Sequence, residues 1–388
     1  MFNLFSGIIQ AMYYYIKTYG CQANKAESER QAGYFEQLGL RPTDDWRQAN
    51  KIFINTCSVR KAADDRALSL LDQMQAYFHD RPRAHWPEVI LSGCMNRYRD
   101  RLQKRFPILT HIQGVGETNF AYPAKRQDKT QAFIQISYGC NSFCTYCVVP
   151  YARGREHSRE FDDIMREVTQ AVSDGYHEIT LLGQNVNSWG LEDVTIGQRK
   201  LDFQADHLPS NRSGYRPYTG LPPFVELLRA ISSLPEVTKI RFLTSNPWDF
   251  YPELIEEVGH NRKIDRYLHL PVQSGSDTVL RRMNRGYTAA NYLKLLEQLR
   301  ALDPDLQIGT DIIVGFAGET EQEFQATVDL VKKAQFVVAF VAMYSVRPGT
   351  VAAKIYPDSV PYQVKKQRFE ILDQMINKDQ LSIRPKIV

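Results

Sequence analysis

Short runs of apolar and β-branched residues alternate with longer amphipathic stretches along most of this chain, and the alternation comes in two series. In the first third, Tyr13–Lys17, Lys51–Asn55 and Val89–Ser92 read as buried strands, being short, β-rich and bounded by polar or turn residues. Ala26–Leu38, Arg60–Phe78 and Arg97–Phe106 carry apolar residues at helical spacing between and after them. This order predicts a parallel sheet with helices packed on its faces. A polar stretch, Gly116–Thr130, reads as a linker. The second series then places strands at Ala132–Ser137, Glu178–Leu182, Lys239–Thr244, Tyr267–Val272, Gln307–Val314 and Val338–Tyr344. Helical patterns at Glu160–Ser173, Pro223–Ser233, Tyr251–Val258, Thr278–Ala301 and Glu321–Ala334 lie between them. Six β/α units predict a barrel-like sheet that stops short of the eight-unit closed form.

The fold class is therefore α/β: an N-terminal open parallel α/β sheet domain over residues 1–124, followed by a partial (β/α)6 TIM-like barrel over 125–360. Residues 361–388 read as a tail of one helix and a short extended end. Leu191–Gly220 breaks the pattern with Gly, Pro, Ser and Asn, and reads as a surface insertion.

Composition narrows the class of function. A chain of 388 residues exceeds one ordinary domain. Its net charge of +4 is compatible with an RNA partner without requiring one. Residues 1–12 lack the basic start and small-residue cleavage site of a signal peptide. No run of about 18 apolar residues occurs, so no transmembrane helix is expected. With no export signal, the six cysteines point to the reducing cytoplasm and to metal binding or chemistry rather than to disulfides.

Those cysteines fall into two sets of three. Cys140, Cys144 and Cys147 form a C-x3-C-x2-C run in one tight loop after the first strand of the second series. Three thiolates can hold three corners of a cubane iron–sulfur cluster and leave one iron open to a ligand, where four would close it. A structural zinc site is the alternative, with His157 as the only local fourth ligand. Cys21, Cys57 and Cys94 each follow one of the first three strands. Loops at the carboxyl ends of strands in an open α/β sheet line one common edge, so these three can meet in space.

Polar residues recur at the later strand ends: Gly183-Gln184-Asn185, Ser245-Asn246, Gln273-Ser274 and Asp311-Ile-Ile-Val-Gly315. A capping or turn role is the plain alternative for each alone. Arg153, Arg155 and Arg159 follow the cysteine loop, and Arg281, Arg282 and Arg285 crowd a second stretch. These read either as phosphate contacts to a nucleic acid or as solvated charges and cluster-shielding ion pairs. His269 reads as a core or cofactor-pocket residue rather than a metal ligand.

The C-x3-C-x2-C run, with Tyr146 before its last cysteine, resembles the signature of the radical S-adenosylmethionine superfamily. Further text is similar to the methylthiotransferase family: Lys17-Thr-Tyr-Gly-Cys-Gln-Ala-Asn24, Asn55-Thr-Cys-Ser-Val-Arg60, Ser92-Gly-Cys-Met95, Cys144-Thr-Tyr-Cys-Val-Val-Pro-Tyr-Ala-Arg-Gly154, Leu268-His-Leu-Pro-Val-Gln-Ser-Gly-Ser-Asp277 and Tyr344-Ser-Val-Arg-Pro-Gly-Thr350. The resemblance spans about residues 13 to 355 and is closest to the MiaB subfamily. It implies a radical S-adenosylmethionine barrel in which Cys140, Cys144 and Cys147 hold the radical-generating [4Fe–4S] cluster. Cys21, Cys57 and Cys94 would hold an auxiliary [4Fe–4S] cluster that carries or donates sulfur.

S-adenosylmethionine would be held by Tyr146, Gly183, Gln184, Asn185, Ser245, Gln273 and Asp311. Arg153, Arg155 and Arg285 are the candidate contacts to a tRNA substrate. The implied reaction adds a methylthio group to C2 of an isopentenylated adenosine next to the anticodon. It uses a low-potential electron donor such as flavodoxin or ferredoxin, in a cytoplasmic monomer. Threonylcarbamoyladenosine in tRNA, a ribosomal-protein aspartate, or a non-catalytic metal-bearing RNA-binding scaffold are the alternatives. Members usually end in a small RNA-binding β-barrel domain, which is not expected within residues 361–388.

Overall fold

The computed structural model describes residues 11–58, 61–114, 122–191 and 221–378. Positions 59–60, most of the expected insertion (192–220) and the end of the tail (379–388) lie outside the described residues. The chain forms two compact units. One comprises the residues up to Gln127 together with Tyr151–Arg153, and the other comprises the rest.

In the first unit five parallel strands form one sheet in the order β2-β1-β3-β4-β5: β1 Tyr13–Thr18, β2 Arg41–Pro42, β3 Lys51–Thr56, β4 Glu88–Gly93 and β5 Leu109–Ile112. Helices α1 (Gln22–Gln37), α2 (Lys61–Phe78) and α3 (Arg99–Arg105) connect them. The central strands are covered on both faces, which is why they read as near-continuous apolar runs. Ile52, Ile54, Val89 and Leu91 pack with Leu71 and Met74 of α2 on one face. Phe53, Ile90 and Tyr14 pack with Phe35 of α1 on the other. The expected helix at Arg97–Phe106 opens instead as a 3₁₀ turn over Cys94–Tyr98 before α3.

The second unit holds six further parallel strands: β6 Gln131–Gln135, β9 Glu178–Leu182, β10 Lys239–Phe242, β11 Tyr267–His269, β12 Gln307–Val314 and β13 Val338–Met343. A small antiparallel pair, β7 (Ser137–Tyr138) and β8 (His157–Ser158), lies at the rim. The six strands form two three-stranded halves, β10-β9-β6 and β11-β12-β13, bridged at Ile240 and Ile264. Helices α5 (Phe161–Ser173), α6 (Pro223–Ser232), α7 (Pro252–His260), α8 (Asp277–Arg282), α9 (Ala289–Leu302), α10 (Glu321–Ala334), α11 (Val351–Ile355) and α12 (Tyr362–Asp373) complete the order, while α4 (Val149–Arg153) has its last three residues in the first unit. Leu268, Ile308, Ile312 and Val314 alternate onto the face that joins the main core with Leu295, Leu299 and Phe324 of the helices. The opposite face of the same strands carries Tyr267, His269 and Asp311.

Two expectations need correction here. The single helix expected over Thr278–Ala301 is two helices, α8 and α9. Asn284 enters the left-handed region at φ 56°, and Thr288 starts α9 afresh with a reciprocal Thr288/Asn291 capping box. The third and fourth barrel strands also end early. Thr244 turns at φ 71° beyond the third, and past His269 the fourth loses regular pairing yet still bridges β12 at Gln273 (φ 67°); positive φ is costly for any residue with a Cβ and rarest for a β-branched one. Among the described residues no helix is long and apolar enough to cross a membrane.

Candidate cluster and cofactor sites

Cys21, Cys57 and Cys94 stand at the carboxyl ends of β1, β3 and β4, three neighbours in the first sheet. Parallel register aligns Thr18 with Asn55 and Asn55 with Ser92. Each cysteine then follows two or three residues past one shared row, on strands about 4.8 Å apart. Cys57 and Cys94 are buried and Cys21 is exposed. Gly93 (φ 86°) makes the turn into Cys94, and a Cβ there would lie 2.1 Å from the Thr56 carbonyl oxygen. Only glycine fits.

The floor of this set is polar and buried. Asn24 Oδ1 accepts from Cys21 Sγ at 3.2 Å, and Asn24 Nδ2 donates to Thr56 O at 2.9 Å and to Asn55 Oδ1. Asn55 Nδ2 donates to Glu27 Oε2 at 3.1 Å. Arg153 completes the network, with Nη1 donating to Glu27 Oε1 at 2.7 Å and Nη2 to Asn24 Oδ1 at 3.3 Å. A hydrogen bond from Cys57 and, against the effect of burial, the charge of Arg153 hold the Cys94 thiol well below its ordinary range. That favours the thiolate, the form that ligates metal.

The second set lies in the loop after β7. Gly139 (φ 73°) leads into Cys140, and a Cβ there would meet the Arg155 carbonyl oxygen at 1.9 Å. Each sulfur accepts an N–H donor: Cys140 from Ser142 N at 3.4 Å, Cys147 from Val149 N at 3.4 Å and Cys144 from Arg285 Nη1 at 3.3 Å. N–H donors to sulfur are the surroundings that thiolate-bound clusters use to set their potentials. Burial and then the charge of Glu156 push the Cys140 thiol up to about 12, so ligation there must displace a firmly held proton.

The break between α8 and α9 packs against this loop. Thr145 N donates to Met283 O at 3.0 Å, Thr145 Oγ1 to Arg282 O at 2.7 Å and Asn284 Nδ2 to Phe143 O at 3.1 Å.

Around the loop, the strand ends present acceptors with nothing to accept. Gln135 Oε1 at the end of β6, Ser137 Oγ at the start of β7, Asn185 Oδ1 after β9, and Ser245 Oγ and Asn246 Oδ1 after β10 are buried without hydrogen-bond partners among the described residues. Unpaired buried polar atoms are rare enough to call for a ligand. These neutral oxygens suit the ammonium group of an amino-acid moiety. Asn246 Nδ2 also donates to Ser142 Oγ at 3.2 Å, tying this edge to the cysteine loop.

Of the other residues proposed from sequence, Tyr146 packs on Phe316 with ring centroids 6.5 Å apart. A Cβ at Gly183 would lie 2.5 Å from Ser137 Oγ, so this position lets two strand ends approach closely. Gln184 is partly exposed beside it. Gln273 is tied through its backbone to Asp311 O (2.8 Å) and Ile313 N (2.9 Å). The Asp311 carboxylate pairs with His269 Nε2 at 3.2 Å, and Tyr267 OH meets His269 Nδ1 at 3.1 Å.

Two of the three arginines read as tRNA contacts are redirected by their burial. Arg153 is enclosed with Glu27, and Arg285 with Cys144 and Pro271 O, so neither guanidinium faces a phosphate chain. Arg155 is exposed over the Phe143 ring. What sequence reading missed is the role of Asn24, Asn55 and Glu27: Asn55 ends the apolar run Lys51–Asn55 and carried a signal, whereas Asn24 and Glu27 sit in a polar helix where nothing sets them apart.

His157, the zinc alternative, is exposed and stacks on Tyr138 at 5.0 Å. Among the described residues no three Cys, His, Asp or Glu side chains are grouped for a single metal ion. A cubane places each thiolate on its own iron and so tolerates wider spacing than one ion does.

Comparison with known proteins agrees with this layout. Residues 134–331 match the Radical SAM superfamily, and residues 13–114 match a family described as Uncharacterized protein family UPF0004. The tRNA-2-methylthio-N(6)-dimethylallyladenosine synthase of Carboxydothermus hydrogenoformans is 38% identical over 394 residues, 94% of this chain and 83% of that one. The enzyme of the same name from Thermotoga petrophila is 39% identical over 386 residues, 93% of this chain and 81% of that one. Among solved structures, the radical S-adenosylmethionine methyltransferase TsrM from Kitasatospora setae is similar in fold alone. Its TM-score is 0.59 over 88% of this chain and 75% of that one, at 13% identity. With such identity to curated enzymes over more than nine-tenths of its length, this chain belongs to the methylthiotransferase family of radical S-adenosylmethionine enzymes, which work with S-adenosylmethionine and a [4Fe–4S] cluster.

Proposed function

We propose that this enzyme adds a methylthio group to C2 of isopentenylated adenosine beside the anticodon of tRNA, acting in the cytoplasm with a low-potential donor such as flavodoxin or ferredoxin. The observation that carries the reading is the second cysteine set, Cys21, Cys57 and Cys94, on three adjacent strand ends of its own unit. A radical enzyme with one cluster has no use for three more cysteines above a buried polar floor. A sulfur-inserting one does. The names of the relatives supply the substrate.

When bound, the cluster at Cys140, Cys144 and Cys147 and S-adenosylmethionine supply a one-electron route to a carbon radical. That suits C2 of adenine, an unactivated aromatic carbon that offers general acid–base catalysis no handle. The residues of this chain bind and orient. Asn185, Ser245 and Asn246 offer their unpaired oxygens to the amino-acid end of S-adenosylmethionine. Tyr146 and Phe316 wall the cysteine loop on an apolar side. Asn24, Glu27 and Arg153 hold the floor beneath a second [4Fe–4S] cluster on Cys21, Cys57 and Cys94. Arg155, exposed, remains for the phosphate chain, and the base must leave the anticodon stack to be reached.

Mass spectrometry of tRNA nucleosides from cells lacking this protein tests the reading. Loss of the methylthio group from isopentenylated adenosine is the expected result. Its persistence there, with loss from threonylcarbamoyladenosine, would refute the substrate.

A further inference from the structure

The helix break that docks on the cysteine loop also delivers Arg285, and its surroundings are unusual for a buried cation. The side chain is 9% exposed. Nη1 donates to Cys144 Sγ at 3.3 Å, Nη2 to Pro271 O at 3.1 Å and Nε to Tyr287 OH at 3.1 Å. Its guanidinium carbon lies 4.6 Å from the centre of the Trp248 ring and 5.2 Å from that of Tyr287. None of those hydrogen-bond partners is a carboxylate. The buried Arg153, Arg159 and Arg368 pair with Glu27, Glu167 and Glu319 respectively. A buried guanidinium is expensive unless an anion balances it. Ring faces and a carbonyl offer partial charge only. Cys144, as a thiolate, is the one partner able to supply a full negative charge. The acidic residue acting on the same loop, Glu156, exerts its charge at Cys140 instead.

We propose that Arg285 is a positioning residue for the radical-generating cluster, holding its Cys144 ligand by a charge-assisted N–H···S bond and raising the cluster's reduction potential. The proposal rests on the reading of Cys144 as a cluster ligand. In reduction, one electron passes from a low-potential reductant, which is oxidised, to the cluster, which gains one negative charge. A fixed positive charge at a ligand sulfur favours that more negative state. Arg285 thus makes the cluster easier to reduce. Hydrogen bonds to the ligand sulfurs are a recognised lever on such potentials, and here the lever carries a full charge.

The test is an anaerobic potentiometric titration of the reconstituted full chain with dithionite, monitored by electron paramagnetic resonance. The signal to follow is the one that changes when S-adenosylmethionine is added. Arg285→Gln keeps polar N–H groups and loses the charge; Arg285→Lys keeps the charge. In Arg285→Gln, with iron and sulfide content retained, the reduced-to-oxidised ratio at a fixed potential should fall about tenfold, which for one electron is about 59 mV. Arg285→Lys should stay within about threefold of the parent, on the same scale. A fully loaded Arg285→Gln at the parent ratio overturns the proposal. So does Arg285→Lys falling as far as Arg285→Gln, or both variants losing the cluster alike, since shape and not charge would then decide. If Arg285→Gln alone loses the cluster while Arg285→Lys keeps it at the parent potential, the charge is confirmed as what holds Cys144. Cys144→Ala separates the two readings: a surviving S-adenosylmethionine-sensitive signal would refute the ligand assignment itself.

Discussion

The two cysteine sets reach the same number of thiols by opposite routes. Cys140, Cys144 and Cys147 are neighbours in the chain, and one loop of eight residues brings them together. Cys21, Cys57 and Cys94 are separated by more than thirty residues each, and only the order β1-β3-β4 makes them neighbours. Both sets follow a glycine whose missing Cβ lets a carbonyl oxygen approach: Thr56 O at Gly93 and Arg155 O at Gly139. Both also have a buried arginine, and there they differ. Arg153 also acts on a sulfur, that of Cys94, but its charge is balanced by Glu27. Arg285 lacks a carboxylate among its hydrogen-bond partners in the described residues and leans on the Cys144 sulfur. The difference teaches that the arginine of the first set is neutralised by a carboxylate of its own network, whereas the arginine of the second is left to the sulfur it touches.

The largest test of that contrast separates the two sets by their products. Cys144→Ala should abolish cleavage of S-adenosylmethionine to 5′-deoxyadenosine and remove about four irons. Cys57→Ala should remove a similar amount yet leave that cleavage intact, while methylthiolated adenosine disappears. Chromatography of both products beside iron analysis reads this out. Equal loss of cleavage in both variants would merge the two roles.

A smaller effect should follow from unbalancing the first-unit floor. Glu27→Gln leaves Arg153 buried without its carboxylate, and breaking a buried pair from one side costs about 3–5 kcal/mol. The expected outcome is a lower denaturant midpoint and loss of iron from the first set only, with the S-adenosylmethionine-sensitive signal unchanged. If that signal is lost as well, the two sets do not load independently.

The smallest effect concerns the support behind the helix break. Glu323 joins α10 to α8, accepting from Arg282 at 2.9 Å on both oxygens and from Thr278 Oγ1 at 2.5 Å. Burial alone would raise its carboxyl, but hydrogen bonds from Arg282, Thr278 and the Thr320 amide hold it down at about 2. A depressed carboxylate contributes stability that is complete above its unfolded value, about 4.3, and fades as the pH falls toward 2. Urea midpoints between pH 5 and pH 3 should therefore fall more in the parent than in Glu323→Gln. Parallel slopes would show that this pair carries no linkage.

Much of the fold was legible because strands and helices are short-range objects. Lys51–Asn55, Glu178–Leu182 and Gln307–Val314 announced themselves as apolar runs and were found within a residue of their observed ends. The break in Thr278–Ala301 was written in Asn284, Gly286 and Thr288, but a sustained apolar period masked it. The positive-φ turns at Thr244 and Gln273 left no such mark, because positive φ at a residue with a Cβ is imposed by surrounding packing rather than preferred locally. Arg153 and Arg285 stayed ambiguous between phosphate contact and ion pairing for a related reason. A charged residue in sequence looks solvated, and only its buried partners reveal that it is not.

Local spacing by itself thus determined the strand–helix alternation and the cysteine loop Cys140–Cys147, since contacts within a few residues are fixed by chain geometry. Tertiary structure alone decided three further things. Cys21, Cys57 and Cys94 stand on adjacent strands. A three-residue segment just beyond the second cysteine set belongs to the first unit and brings Arg153 to Glu27. An interrupted helix brings Arg285 to a sulfur 141 positions away. The physical reason is the same in each case: strand order and the pairing of buried charges are settled by competition among distant segments for a low-dielectric interior, and no window of sequence contains both partners.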